Sequence, residues 1–395
     1  MERRIGSKRI ETPNIFASYR IKDFPRAGLQ SHPWKMTNTQ GLLLNAFDLL
    51  ANKRTAQFTP EIHERPGKLH EFVEFDGPIM LDSGAFNFLQ HPEITITSSE
   101  VLKIGLALRA DVSVVLDHPF PPKSTAQEIK SRWDNTLENT KRMFEELSIQ
   151  DGEIPPNFEL MPVIHGHDAD TLKRTLDDVV SITQKQPELV GIGSLAPLAR
   201  NGSKRTVIEV LLAARQLLPD AHIHCFSLGS ALLMLFAFYC GADTVDSQTW
   251  LMTAAYKNVQ LPGFHQTRIS QQEARKAPEQ YENNRRQFTS QLLRLADKEK
   301  FEVQDWESGA PWPINNQNDA LAYWDYLEEK DGVNLLHRRA CHNLYTFNFE
   351  ARRVRQEMEQ GNLEDFILSR MKSTVYKNAF AYAVEQRQKM GGTLV

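Results

Sequence analysis

Mostly apolar runs that stop on a polar or glycine residue recur along this chain: PIMLDSG (78–84), DVSVVLDHP (111–119), FELMPVIHG (158–166), LVGIGSLAP (189–197), HIHCFSLGS (222–230) and ADTVDSQ (242–248). A strand without polar alternation is buried on both faces, as in a parallel sheet covered by helices. Between these runs lie the amphipathic stretches 98–110, 124–147, 168–184, 203–219 and 230–242, several opening on a Ser or Asp suited to capping a helix. Two earlier segments, NIFASYRI (14–21) and GLLLNAFDLL (41–50), bring the strand–helix units to about eight. The pattern predicts an α/β fold, a closed (β/α)8 or TIM barrel. An open dinucleotide-binding sheet fits less well, because no GxGxxG follows the first strand. From 262 to 332 the composition turns polar, through QQEARKAPEQYENNRRQF and DWESGAPWPINNQND. We read a single catalytic barrel over 1–395, interrupted by an insertion at 262–332 before the last barrel helix and followed by C-terminal helices.

Composition narrows the classes. A chain of 395 residues with 41% hydrophobic content fills a large core, and a net charge of −4 gives no global basic field that would advertise nucleic acid. The opening MERRIGSKRIETPN lacks the apolar core of a signal peptide, and ALLMLFAFYC (231–240) is too short to span a bilayer. A cytoplasmic protein with no membrane partner is expected. The three cysteines, Cys225, Cys240 and Cys341, are scattered and odd in number, which speaks against a disulfide framework.

In such a barrel the reacting groups gather at the C-terminal strand ends. Those ends carry Asp82-Ser83, Asp117-His118, His165-Gly166-His167, Gly193-Ser194, Gly229-Ser230 and Asp246-Ser247. Any one carboxylate there serves equally well as a helix cap, whereas three at one rim point to a site. Two carboxylates from different strands suit chemistry at an anomeric carbon, one attacking C1′ and the other handling protons on the leaving group. A third, such as Asp117, suits recognition of the N–H groups of a guanine-like edge. Gly193 and Gly229 either admit a flat ring or serve barrel packing.

The stretches LHEFVEFDGPIMLDSGAFNF, LLLNAFDL, VVLDHP, VGIGSLAPL, GADTVDS and HNLYTFNFEARRVRQEMEQGNLEDF resemble, in order, motifs of the tRNA-guanine transglycosylase superfamily, from about Pro13 to about Phe366. The resemblance implies Asp246 as the nucleophile forming a covalent glycosyl-enzyme intermediate and Asp82 as general acid/base. It implies Asp117 on the Watson–Crick edge of the base, with Ser83, Asn45, His165, Ser194, Leu195 and Gly229 completing the pocket.

Departures from the family pattern carry information too. His165 stands where the family usually has glutamine and Ser194 where it has glycine. Ala199 replaces an acidic residue of the bacterial tRNA enzymes that helps accept a cationic aminomethyl group, so the uncharged 7-cyano-7-deazaguanine is the expected incoming base. His342-Asn343-Leu344 is kept, yet the CxCxxC that completes the family's structural zinc site is absent. No cofactor and no zinc are expected, with hydrogen bonds or packing through Trp306 and Trp312 in the metal's place.

The segment DSQTWLMTAAYKN after the nucleophile is closer to archaeal and DNA-acting relatives than to the bacterial tRNA enzymes, and no C-terminal RNA-binding domain is recognised. DNA is therefore the expected polymer, with tRNA the alternative and a DNA-opening accessory protein an expected partner. Phosphate contacts are expected among Lys257, Arg268, Arg275, Lys276, Arg285, Arg286, Arg338 and Arg339. Two other classes stay open: a metal-dependent barrel hydrolase using the i, i+2 pair His165/His167, and a non-catalytic accessory subunit. A second such pair, His222/His224, opens its strand and is expected at the end of the barrel away from the mouth.

Overall fold

A computed structural model of the chain describes residues 2–5, 8–21, 32–51, 58–86, 96–121, 123–150, 154–156, 158–200, 204–263, 265–328 and 335–391. They fall into two compact units, one comprising Met1–Lys22, Gln40–Ser247 and Gln360–Val395, the other Asp23–Thr39 and Gln248–Glu359. The segment 262–332, expected as an insertion, lies inside the second unit.

The first unit is a closed parallel barrel. Its strands are Asn14–Ser18, Gly41–Asn45, Ile79–Asp82, Val112–Val114, a fifth strand in two segments (Glu159–Met161 and Val163–His165), Leu189–Gly193, His222–Cys225 and Thr244–Ser247. Pro162 divides the fifth strand because it has no N–H to give the ladder, yet its carbonyl accepts the Gly191 N–H at 2.9 Å. The ring closes where the last strand pairs in parallel with the first, Asp246 opposite Phe16.

Capped helices alternate with the strands. Thr97 and Thr125 each form a reciprocal capping box, with Glu100 and Glu128, at the starts of helices Ser98–Ala107 and Ala126–Ser148, and Asp168 caps Ala169–Thr183. At the end of the barrel where the strands begin, Ile5 and Ile10 of an N-terminal hairpin pack with Phe16, Leu43, Met80, Met161 and Val163 from inside the barrel. The interior of that end is filled by these apolar side chains.

The second unit is mainly helical. Helices Pro278–Glu299, Gln317–Glu328 and Leu335–Glu359 enclose an aromatic core with Phe288, Phe301, Trp306, Tyr323 and Trp324 fully buried. No described helix is long and apolar enough to cross a membrane.

Candidate active site

The third strand ends at Asp82, opposite Asn45 on the second. Gly84 then turns the chain with φ +84°, and a Cβ there would come within 2.4 Å of Asn45 Oδ1. Only glycine meets both demands. Asn45 Oδ1 accepts the Phe47 N–H at 2.9 Å and caps the helix Ala46–Leu50, while Asp82 Oδ2 accepts the Gly84 N–H at 3.3 Å. Ser83 is fully buried, and its Oγ has no hydrogen-bond partner. A buried hydroxyl left open is costly, and here it marks a place for a polar ligand group.

Asp82 keeps some surface at the strand end but is packed closely by protein. Burial first, then the carboxylates of Asp117 and Asp246, push its pKa from the ordinary 3.8 up to about 8. Near neutral pH it holds its proton. Carboxylates whose environments drive their proton affinities apart are the arrangement that supplies an acid and a nucleophile from the same residue type.

Asp117 and His165 are both buried, with His165 Nε2 3.1 Å from Asp117 Oδ2 though out of line for a hydrogen bond. On the other side of the ring Nδ1 lies 2.8 Å from Ser194 Oγ, which accepts the Phe120 N–H at 2.7 Å. The Ser194 hydroxyl proton is available to Nδ1, and a ring that accepts it carries its own proton on Nε2, facing Asp117. Asp117, His165 and Ser194 thus stand in series. His165 was expected to meet the base; in the structure it has no exposed surface and backs Asp117 instead.

Two departures from the family pattern are thus partners. Ser194 takes φ +63°, a left-handed conformation that explains the family's glycine, and its hydroxyl is what holds His165. Gly193 makes room, since a Cβ there would lie 2.3 Å from His165 Cε1. Leu195, fully buried, opens the helix Leu195–Arg200. His167 Nε2 turns to the Phe120 carbonyl at 3.3 Å, so the two imidazoles of the fifth strand end serve different partners. Among the described residues no three His, Cys, Asp or Glu side chains are grouped to hold a metal, which leaves the hydrolase reading without a ligand set there.

Asp246 is buried near the end of the last strand, and its Oδ1 accepts the Ser227 N–H at 2.6 Å. Gly229 abuts the same strand: a Cβ would fall 2.2 Å from the Asp246 carbonyl and 2.1 Å from Ser247 Cβ. Any side chain at 229 would displace the candidate nucleophile's backbone.

The placement expected for His224 is corrected, whereas His222 begins its strand opposite Leu189. Their strand stops at Cys225, and His224 is level with Thr244, two residues before Asp246. The His224 ring is therefore directed at the reactive end, with Nε2 3.6 Å from Asp246 Oδ1.

Three of the expected phosphate contacts are committed inside the second unit. Arg338 is buried and paired with Glu307, Arg339 is buried, and Arg285 pairs with Asp325 at 2.8 Å. Lys257, Arg268, Arg275, Lys276 and Arg286 are exposed.

Among the described residues, the histidine of the HNL motif is engaged by other groups. His342 Nε2 donates to the Gln260 carbonyl at 2.8 Å, and Nδ1 accepts from Tyr323 Oη at 2.9 Å. Tyr323 Oη in turn accepts from Trp306 Nε1 at 2.7 Å. Both imidazole nitrogens are spent, and the sulfur of Cys341 has His337 as its neighbour at 3.5 Å.

Residues 3–375 match the queuine tRNA-ribosyltransferase family. The chain belongs to that family. It is 24% identical over 373 residues to a tRNA-guanine(15) transglycosylase of Methanococcus maripaludis, a match covering 93% of this chain and 50% of the relative. Proteins of the same name from Methanobrevibacter smithii (28% over 187 residues, 47% of this chain and 28% of the relative) and Pyrococcus furiosus (23% over 251 residues, 63% and 40%) are also similar. The chain spans at most about half the length of these relatives. Family and barrel both agree with what the motifs implied.

Proposed function

We propose that this chain is a base-exchange transglycosylase that replaces guanine in a nucleic acid by a 7-deazaguanine. Asp246 attacks C1′ of the target nucleotide as the glycosidic bond breaks, and the departing guanine takes a proton from Asp82. The incoming base, held against Asp117, gives its ring N–H proton to the Asp82 carboxylate. Its nitrogen then attacks C1′ and releases Asp246. Two inversions retain the configuration, and Asp82 ends protonated as it began. The observation that carries this reading is the raised proton affinity of Asp82: burial beside Asp117 and Asp246 gives it a proton to donate at neutral pH.

On the polymer, the names of the relatives support tRNA. We favour DNA, because the segment DSQTWLMTAAYKN after the nucleophile departs from the bacterial tRNA enzymes, and the Trp306–Tyr323–His342 chain stands where the family has a zinc cluster. The target guanosine must then leave the stack, at a cost of a few kcal/mol. The exposed Lys257, Arg268, Arg275, Lys276 and Arg286 offer phosphate contacts, and a DNA-opening partner would lower that cost. Ala199 leaves nothing acidic for a cationic substituent, which favours 7-cyano-7-deazaguanine.

The test is incubation with labelled 7-cyano-7-deazaguanine and duplex DNA, single-stranded DNA or tRNA. Label entering DNA supports the full reading, and label entering tRNA alone replaces the polymer. Exchange by Asp246→Asn at the wild-type rate refutes the mechanism.

A further inference from the structure

The barrel holds a second histidine-centred chain that the exchange chemistry above does not use. The side chains of His222 and His224 both meet Thr244 of the neighbouring strand: His222 Nε2 and His224 Nδ1 each lie 2.9 Å from Thr244 Oγ1. All three residues are buried, His224 completely, between the rings of Phe16 and Phe226. Two ring nitrogens have no hydrogen-bond partner, His222 Nδ1 and His224 Nε2, and the latter is the atom 3.6 Å from Asp246 Oδ1.

One hydroxyl proton is shared between two imidazoles, and two arrangements spend it on a ring nitrogen. If Thr244 donates to His222, then His224 carries its proton on Nδ1 and turns a bare lone pair towards a carboxylate oxygen. If Thr244 donates to His224 Nδ1, the proton lies on Nε2 and faces Asp246, while His222 donates to the threonine. An ionised Asp246 selects the second arrangement. Burial holds His222 neutral, with its pKa lowered to about 4, so it has one proton to place and the pattern is complete.

Resting on the transglycosylase reading, we propose that His224 is a positioning residue for the nucleophile. Its Nε2–H and the Ser227 N–H together engage Oδ1 of Asp246, which leaves Oδ2 to attack C1′. Ser227 contributes from a left-handed backbone with φ +56°, so both donors are fixed before substrate arrives. The separation is just outside hydrogen-bond length, and contacts of this kind close when the reacting complex forms.

The experiment is single-turnover formation of the covalent glycosyl-enzyme from the nucleic acid that the labelling assay identifies, in wild type, His224→Leu, His224→Gln and Thr244→Val. His224→Leu slows adduct formation about 10- to 100-fold, the loss of a hydrogen bond to a charged group, with KM for the incoming base unchanged. His224→Gln, whose amide supplies an N–H near the position of Nε2, recovers most of that rate. Thr244→Val, which frees the tautomer but leaves the ring, slows it about 3- to 10-fold and supplies the test if His224→Leu does not fold. Adduct formation by His224→Leu at the wild-type rate overturns the proposal, as does equal loss in the Leu and Gln variants, or a wild-type rate in Thr244→Val. If wild type itself forms no adduct, the transglycosylase reading has failed and takes this proposal with it.

Discussion

Two buried histidines, one in each compact unit, sit in hydrogen-bonded chains that look alike and end differently. In the second unit His342 has both nitrogens matched, and the tyrosine and tryptophan beyond it are matched too. In the barrel, His224 and His222 each keep one nitrogen open, and the open atom of His224 faces a carboxylate. The environments are equally dry: neither His342 nor His224 has any exposed surface. Dryness therefore does not separate scaffold from reactive group. A chain satisfied throughout stabilises and specifies a core, whereas one left open beside a carboxylate is stability forgone where a substrate binds.

The largest effect on stability should come from the closed chain. His342→Ala strips partners from the Tyr323 hydroxyl and the Gln260 carbonyl and leaves a cavity. A loss of about 3–5 kcal/mol is expected in denaturant unfolding, with exchange per folded molecule kept. Added zinc that stabilises the wild type but not His342→Ala would show that the histidine is a metal ligand after all. Tyr323→Phe removes one oxygen and orphans Trp306 Nε1 and His342 Nδ1, for about 1–3 kcal/mol.

A smaller effect of opposite sign belongs to the reactive group. Between pH 3.8 and about 8 native Asp82 holds a proton that the unfolded chain has released, so its contribution to stability falls as pH rises through that window. Asp82→Asn should abolish exchange yet raise stability, by at least about 1 kcal/mol near pH 9 and by almost nothing near pH 4, read as the difference in melting temperature. His222 and His342, whose pKa burial lowers to about 4, act the other way, costing stability as pH falls from 6.5 towards 4. The smallest effect is expected at Ser194→Gly. Relief of the left-handed serine and loss of its hydroxyl oppose one another to within about 1 kcal/mol, while the KM for the incoming base rises as His165 loses its anchor.

Most of the barrel was legible because strands buried on both faces are continuous apolar runs with sharp polar ends. LDSG, LDHP and TVDS each mark a strand end that carries a carboxylate. Trp306 was also foreseeable, as an indole in the polar segment where a cysteine cluster was missing. Trp312 serves less directly, by packing on Tyr323 and Tyr326 at 5.6 and 5.0 Å between ring centres.

What eluded the sequence was set by register and partnership. His224 seemed to start a strand, but the strand is only four residues long, and its pairing with Thr244 brings the imidazole to Asp246. Nothing local to VIHG and GIGS announces that His165 and Ser194, 29 residues apart, bond each other. Arg338 and Arg339 read as phosphate contacts because a sequence displays charge without its burial.

The central claim is that Asp82 waits with its proton on at neutral pH. Titration of selectively carbon-13-labelled aspartate carboxyls, with Asp82 assigned by its loss in Asp82→Asn, reads this directly. A midpoint near pH 8 for Asp82 is the expected result. An Asp82 carboxyl already ionised at neutral pH, titrating near the ordinary 3.8, would contradict it.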